Sequence, residues 1–140
     1  VFILDTDHFS FLQQVHSTAS SRLRARLQEQ ETSAAVTIIS LEEQSRGWLA
    51  YIKKARNLDA QVDAYARLRR MHENFCRVPI LDFDDMAAVE YGRLKRSFPR
   101  TGSMDLKIAA IAITREAVLL TRNRADFDNI PGLMIDDWSV

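Results

Sequence analysis

The chain has 140 residues, enough for one domain that closes a core between two helical layers. Apolar residues make up 46% and charged residues 27%, which sets it among globular rather than disordered chains. Nineteen basic residues offset nineteen acidic ones, so no global field draws it to nucleic acid or to an anionic membrane, and any such contact has to be local.

Phe2, Ile3 and Leu4 run apolar without alternation and predict a short strand buried on both faces. Asp5, Thr6 and Asp7 follow at once. A short helix is expected over 7–14 and a second over 17–30, carrying Arg22, Arg24 and Arg26. Residues 33–38 are rich in β-branched side chains and predict a second strand, after which Ser40 opens a helix to about Ala55. Leu58, Val62, Tyr65, Leu68, Met71 and Phe75 recur at helical spacing, so 58–76 forms one amphipathic helix. Residues 77–81 predict a third strand, which Pro79 places at a sheet edge or a strand start. A helix over 84–96, a loop over 98–102 and a nearly all-apolar, hence central, helix from Ser103 come next. Residues 117–121 form a fourth strand, 124–127 a turn of helix and 132–136 a fifth strand. Strands alternating with helices at these intervals imply an α/β fold, a parallel sheet of four to five strands covered on both faces.

Cys76 is the only cysteine, so no internal disulfide forms and a reducing cytoplasm fits best. Apolar stretches such as 108–114 fall far short of a membrane span. The apolar N-terminus carries no basic segment of the kind that opens a signal peptide. His8, His16 and His72 are scattered and without cysteine partners, which argues against zinc.

In an open parallel sheet the carboxyl ends of the strands share one edge, where sites form. Asp5 ends the first strand and Glu43 lies in the first turn of the helix after the second. Thr121 ends the fourth, with Asn123 and Asp126 just beyond. Asp105 joins them if its helix begins at that edge. Each has a structural alternative. Asp5, Thr6 or Asp7 fits a cap for the first helix, Ser40 with Glu43 fits a capping box, Ser103 fits a cap above Asp105, and Asn123 with Asp126 reads as a capping pair. Caps explain less well why several carboxylates gather at one edge without an equal set of fixed cations. Oxygen donors without soft ligands point to magnesium or manganese.

The ordered set FILDTD (2–7), TIISLEEQSRG (37–47), TGSMDLKIAAIAI (101–113) and LLTRNRADFDNIPGLMIDDW (119–138) resembles PIN-domain ribonucleases of the VapC toxin type. The resemblance covers nearly the whole chain and implies a single three-layer α/β/α PIN domain over residues 1–140. It places metal ligands at Asp5, Glu43 (rather than Glu42) and Asp105. The fourth position falls on Asn123, where many such nucleases carry aspartate, a departure that bears on a second tightly held metal. Asp126 either compensates or caps. Asp7 stands where many members have asparagine, and Thr6 and Thr121 supply hydroxyls that orient a carboxylate or water. Implied with these are a Mg2+- or Mn2+-dependent hydrolysis of RNA that leaves 5′-phosphate and 3′-hydroxyl ends, an antitoxin partner of the VapB kind, and a homodimer. Thr6, Arg46, Lys107, Arg122 and Arg124 are the candidates for holding the RNA backbone. Two rivals stand beside this reading. One is a PIN fold that has lost activity and only binds RNA or antitoxin. The other is a haloacid-dehalogenase-type phosphatase with Asp5 as nucleophile and Asp7 as acid/base, which a trapped phospho-aspartate would reveal.

Overall fold

The computed structural model describes residues 1–14, 17–30 and 34–140. A five-stranded sheet forms its centre: β1 (Phe2–Leu4), β2 (Ala34–Thr37), β3 (Ile80–Leu81), β4 (Val118–Leu120) and β5 (Met134–Asp136). All pairings are parallel, in the order β3-β2-β1-β4-β5. Around it lie α1 (Thr6–Gln13), α2 (Thr18–Glu29), α3 (Ile38–Lys54), α4 (Leu58–Phe75), α5 (Asp85–Ser97), α6 (Ser103–Thr114) and the short α7 (Arg124–Phe127).

The inner strands β1, β2 and β4 are buried on both faces because neighbouring residues point into different cores. Ile3 and Leu119 enter a core with α6, α5 and α7, built on Leu106, Ile108, Ile111, Leu94 and Phe127. Leu4 and Leu120 enter the opposite core with α1, α2 and α4, built on Phe9, Leu23, Met71, Phe75 and Trp138. The expected three-layer α/β/α arrangement therefore holds. On α6, residues 108–112 are wholly buried, and Ile108 and Ile111 each contribute about 1.5–3 kcal/mol by leaving water.

Several boundaries differ from expectation, each for a physical reason. The second strand ends at Thr37, whose hydroxyl accepts the Ser40 N–H at 3.2 Å and caps α3. The helix thus starts at Ile38, two residues early. Ser40 does not form the capping box expected with Glu43, and Glu43 falls in the second turn. Ser33, the expected strand start, lies outside the described residues. β3 keeps only two residues, but Pro79 sits where an edge strand tolerates it: it needs no donor, and its carbonyl accepts the Val36 N–H at 3.0 Å. Ser103 does not cap α6; Gly102 takes that position without a side-chain bond. The apolar stripe of α4 divides. Met71 and Phe75 pack in the core, while Leu58, Val62 and Tyr65 lie 78%, 70% and 58% exposed.

The chain winds from β1 outward through β2 to β3, then crosses over to β4 and β5 on the other side. The direction of winding reverses between β1 and β4, which opens a crevice beyond their carboxyl ends.

Candidate active site

Register alone brings the first two residues of the site together. Leu4 pairs with Leu120, so Asp5 and Thr121 leave the sheet side by side, and the Asp5 N–H donates to the Leu120 carbonyl at 2.9 Å. One oxygen of Asp5, Oδ1, caps α1 by accepting the Thr6 N–H at 2.9 Å. The other, Oδ2, accepts from the buried Thr121 hydroxyl at 2.9 Å. The Thr121 oxygen also accepts the Asn123 N–H at 3.0 Å, which turns the chain out of β4. Capping and site-building are therefore compatible roles for Asp5. Burial raises its carboxyl above the ordinary carboxylate range, the Thr6 and Thr121 donors oppose that, and the charge of Asp7 adds to it.

Glu43 projects from the second turn of α3. Its Oε1 is buried and has no hydrogen-bond partner. Burial raises its carboxyl first, and the charges of Asp5, Asp105 and Glu42 raise it further. Asp105 stands in the first turn of α6, whose start does lie at the carboxyl edge. Burial, the charges of Asp126 and Asp5, and a hydrogen bond to Asp126 lift it to about 6. Asp126 accepts the Asn123 amide at 2.6 Å. Asn123 is thus bonded to a carboxylate through its side chain, and that side chain does not cap α7.

Asp7 is fully engaged elsewhere. Its Oδ1 accepts the His8 N–H at 2.6 Å and faces His8 Nδ1 at 2.8 Å, while Oδ2 accepts the Arg122 N–H at 3.0 Å. His8 is buried, and its Nε2 meets the Trp138 N–H at 3.1 Å and Asp137 Oδ1 at 3.3 Å. The α1 start, the 121–123 turn and the C-terminal segment are tied by this chain of bonds. An acid/base role for Asp7, which the phosphatase reading needs, would compete with the bonds that both its oxygens already accept. The sequence reading did not single out His8 or Trp138 for this clasp; a histidine set beside Phe9 and Phe11 was the available signal.

The expected backbone-holding cations are less concentrated at the edge than expected. Arg46 pairs with Glu42 at 2.6 Å, and Arg124 approaches Asp136 at 3.8 Å. The Arg122 guanidinium lies 5.5 Å from the Phe11 ring, and the Lys107 ammonium lies 5.6 Å from Tyr91 and 5.8 Å from Phe83. Each has an intramolecular partner, all of them on or near the surface and weakly held. The Thr6 hydroxyl oxygen is buried without a partner.

Residues 2–133 match the PIN domain family. This chain belongs to the PIN-domain family. A curated relative, the tRNA(fMet)-specific endonuclease VapC of Salmonella typhimurium, is 28% identical, with 98% of this chain and 97% of the relative covered. Ribonuclease VapC2 of Rickettsia felis is 26% identical over 99% of this chain and 98% of its own. The DNA-bound VapBC structure from Salmonella typhimurium aligns with a TM-score of 0.70 and 26% identity, covering 98% of this chain and 97% of that one.

PIN-domain nucleases are in general dependent on a divalent metal. The residues of this PIN domain fit one in chemistry: hard carboxylate oxygens, an unpartnered buried Glu43 Oε1, and three carboxyls raised by burial and by neighbouring carboxylates. Among the described residues no ready-made group of three ligands is closed up around one point. Uncompensated like charges repel, and Asp105 lies in the field of both Asp5 and Asp126, so coordination requires the side chains to draw together.

Thr121 is the hinge of the arrangement and yields a direct expectation. Thr121→Val removes the donor to Asp5 and the acceptor for Asn123 and destabilises the protein by about 1–3 kcal/mol, whereas Thr121→Ser keeps both bonds. Urea unfolding of the two variants checks this; equal stabilities would show that the hydroxyl carries nothing.

Proposed function

We propose that the chain is a VapC-type endoribonuclease toxin that uses Mg2+ or Mn2+ held by Asp5, Glu43 and Asp105, cleaves RNA, and is silenced by a cognate antitoxin. The observation that carries this is the buried, unpartnered Glu43 Oε1 in the electrostatic field of Asp5 and Asp105. A structural glutamate would spend that oxygen on a backbone donor; a ligand keeps it free. Transfer RNA is the first substrate to test, because the Salmonella relative is named for it.

A divalent ion bound there supplies Lewis-acid polarisation of a phosphate oxygen and lowers the pKa of a water. The rest is the work of the chain's own residues. Thr6 and Thr121 fix Asp5 in one rotamer, so its free lone pairs are aimed before substrate arrives. Glu43 would hold a second ion or orient the attacking water. Asn123, donating to Asp126, leaves that pair with less negative charge than two aspartates would carry. Thr6, Arg46, Lys107, Arg122 and Arg124 remain candidates for the RNA backbone, the four cations by leaving the weak partners they now have and Thr6 by its unpartnered hydroxyl.

Incubation with transfer RNA in EDTA and with added magnesium or manganese tests the activity. Metal-dependent fragments with 5′-phosphate ends support it; cleavage unaffected by EDTA refutes it.

The antitoxin would place a cationic side chain among the carboxylates, where a fixed positive charge replaces that of the metal. Inhibition then weakens as magnesium rises, and weakens only modestly with salt because the pair is desolvated. Antitoxin affinity measured for wild type and Asp5→Asn across a magnesium series checks this, and indifference to both would place the antitoxin elsewhere.

The exposed Leu58, Val62 and Tyr65 of α4, with Met86 and Val89 of α5, supply apolar surface for a symmetric homodimer. Sedimentation velocity decides it, and a monomer at high concentration would refute it. Among the described residues no helix is long and apolar enough to cross a membrane. Cytoplasmic action, where RNA and a free Cys76 thiol coexist, completes the proposal.

A further inference from the structure

We infer that the α3 groove beside Glu43 is an aromatic shelf that stacks an unpaired base of the RNA next to the cleaved bond. The inference rests on the ribonuclease reading and adds to it the residues that hold a base.

The groove is lined by Glu43, Gln44, Gly47, Trp48 and Tyr51 and has a volume of about 290 Å³, near the lower end for a small-ligand cleft. Glu43, Gly47 and Tyr51 follow at four-residue steps on one face of α3. At 1.5 Å per residue, Tyr51 lies about 12 Å along the axis from Glu43. A phosphodiester at Glu43 therefore has its neighbouring nucleotides over Gly47 and Tyr51. Gly47 makes the space: a Cβ added there would meet nothing within 4 Å.

The far wall is aromatic. The Trp48 and Tyr51 rings pack edge to face, with centroids 5.5 Å apart at 87°. The Arg67 guanidinium lies 5.7 Å from both rings and is held by Asp63 at 2.9 Å, and the Tyr51 hydroxyl reaches the same Asp63 oxygen at 3.3 Å. Tyr51 is nevertheless 43% exposed. An exposed aromatic surface with a guanidinium beside it suits the planar faces of bases. A peptide side chain would gain more from an enclosed apolar pocket than from this open, one-sided shelf. The shelf also provides what the paired surface cations do not, a contact with RNA that is independent of charge.

The test uses the whole chain with Asp105→Asn to prevent cleavage. Its affinity is measured for a single-stranded RNA decamer of mixed sequence and for the same decamer with abasic sugars throughout. The bases should tighten binding by about 5- to 100-fold. Adding Tyr51→Ala or Gly47→Leu should erase most of that difference while leaving affinity for the abasic strand unchanged. Gly47→Leu is the safer variant for folding, since its new side chain points into open space and leucine is a better helix former than glycine. A base-dependent difference that survives both variants overturns the shelf. So does an equal loss for both strands, which would mark a general role in folding or charge. Loss of affinity for an antitoxin peptide with the base effect intact assigns the groove to protein and also overturns it. Failure of the ribonuclease reading looks different: wild type would then leave transfer RNA uncut with magnesium and with manganese, and the shelf would fall with it.

Discussion

Glu43→Gln lowers RNA cleavage by about 10²–10³-fold, the range for losing one preorganised charge-stabilising group, and Glu42→Gln leaves it unchanged. Neighbouring residues on a helix point about 100° apart, so only one of the two faces the crevice. The structure separates them: Glu42 pairs with Arg46 at 2.6 Å on the surface, whereas Glu43 keeps a buried oxygen without a partner. Replacing that carboxylate by an amide of the same shape removes a repelled charge, so the metal-free protein should be no less stable. Cleavage assays at equal folded concentration decide the matter. Equal losses, or a loss confined to Glu42→Gln, would move the site to another face of α3.

Saturating divalent metal, at about 100 times its dissociation constant, stabilises the protein by roughly 2.7 kcal/mol, a rise of about 10 °C in Tm. Asp105→Asn should abolish most of that rise. In EDTA the same variant should be as stable as wild type or more so, because it relieves the repulsion from Asp5 and Asp126. The pH dependence has a definite sign. Asp105 binds its proton more tightly folded, at about 6, than unfolded, at the ordinary 3.8. Between those values the folded state holds more protons, so this group's contribution to stability is present at low pH and is lost as pH rises through 6. Metal must displace that proton, and its stabilising effect should therefore shrink below pH 6. Thermal melts in EDTA and in magnesium from pH 5 to 8 check both arms. A variant that unfolds more readily than wild type in EDTA would make Asp105 a structural residue of α6.

Much of the fold was legible because the strongest signals in this chain are local. Unbroken apolar triplets at 2–4 and 118–120 mark strands covered on both sides, and the apolar run of α6 marks a central helix. Helix starts were less legible. Thr37, Ser40, Gly102 and Ser103 compete as caps, and the winner depends on where the strand or loop before it leaves the chain. The α4 stripe misled in its first half, since periodicity records which residues share a face but not whether anything covers it.

By itself the sequence determined the parallel α/β architecture, the family likeness and the candidacy of Asp5, Glu43 and Asp105. These rest on short-range patterns and on motif order, which need no coordinates. Only the tertiary structure decided what each polar atom does. The pairing of Leu4 with Leu120 sets Thr121 against Asp5, separated by 116 positions in the chain, and the fold places Asp126 against Asp105. It also ties Asp7 to Arg122 and His8 to Trp138, and it leaves Glu43 without a partner. Hydrogen bonding and desolvation act over a few ångströms in space, so the state of a carboxylate is set by neighbours that the order of residues does not name.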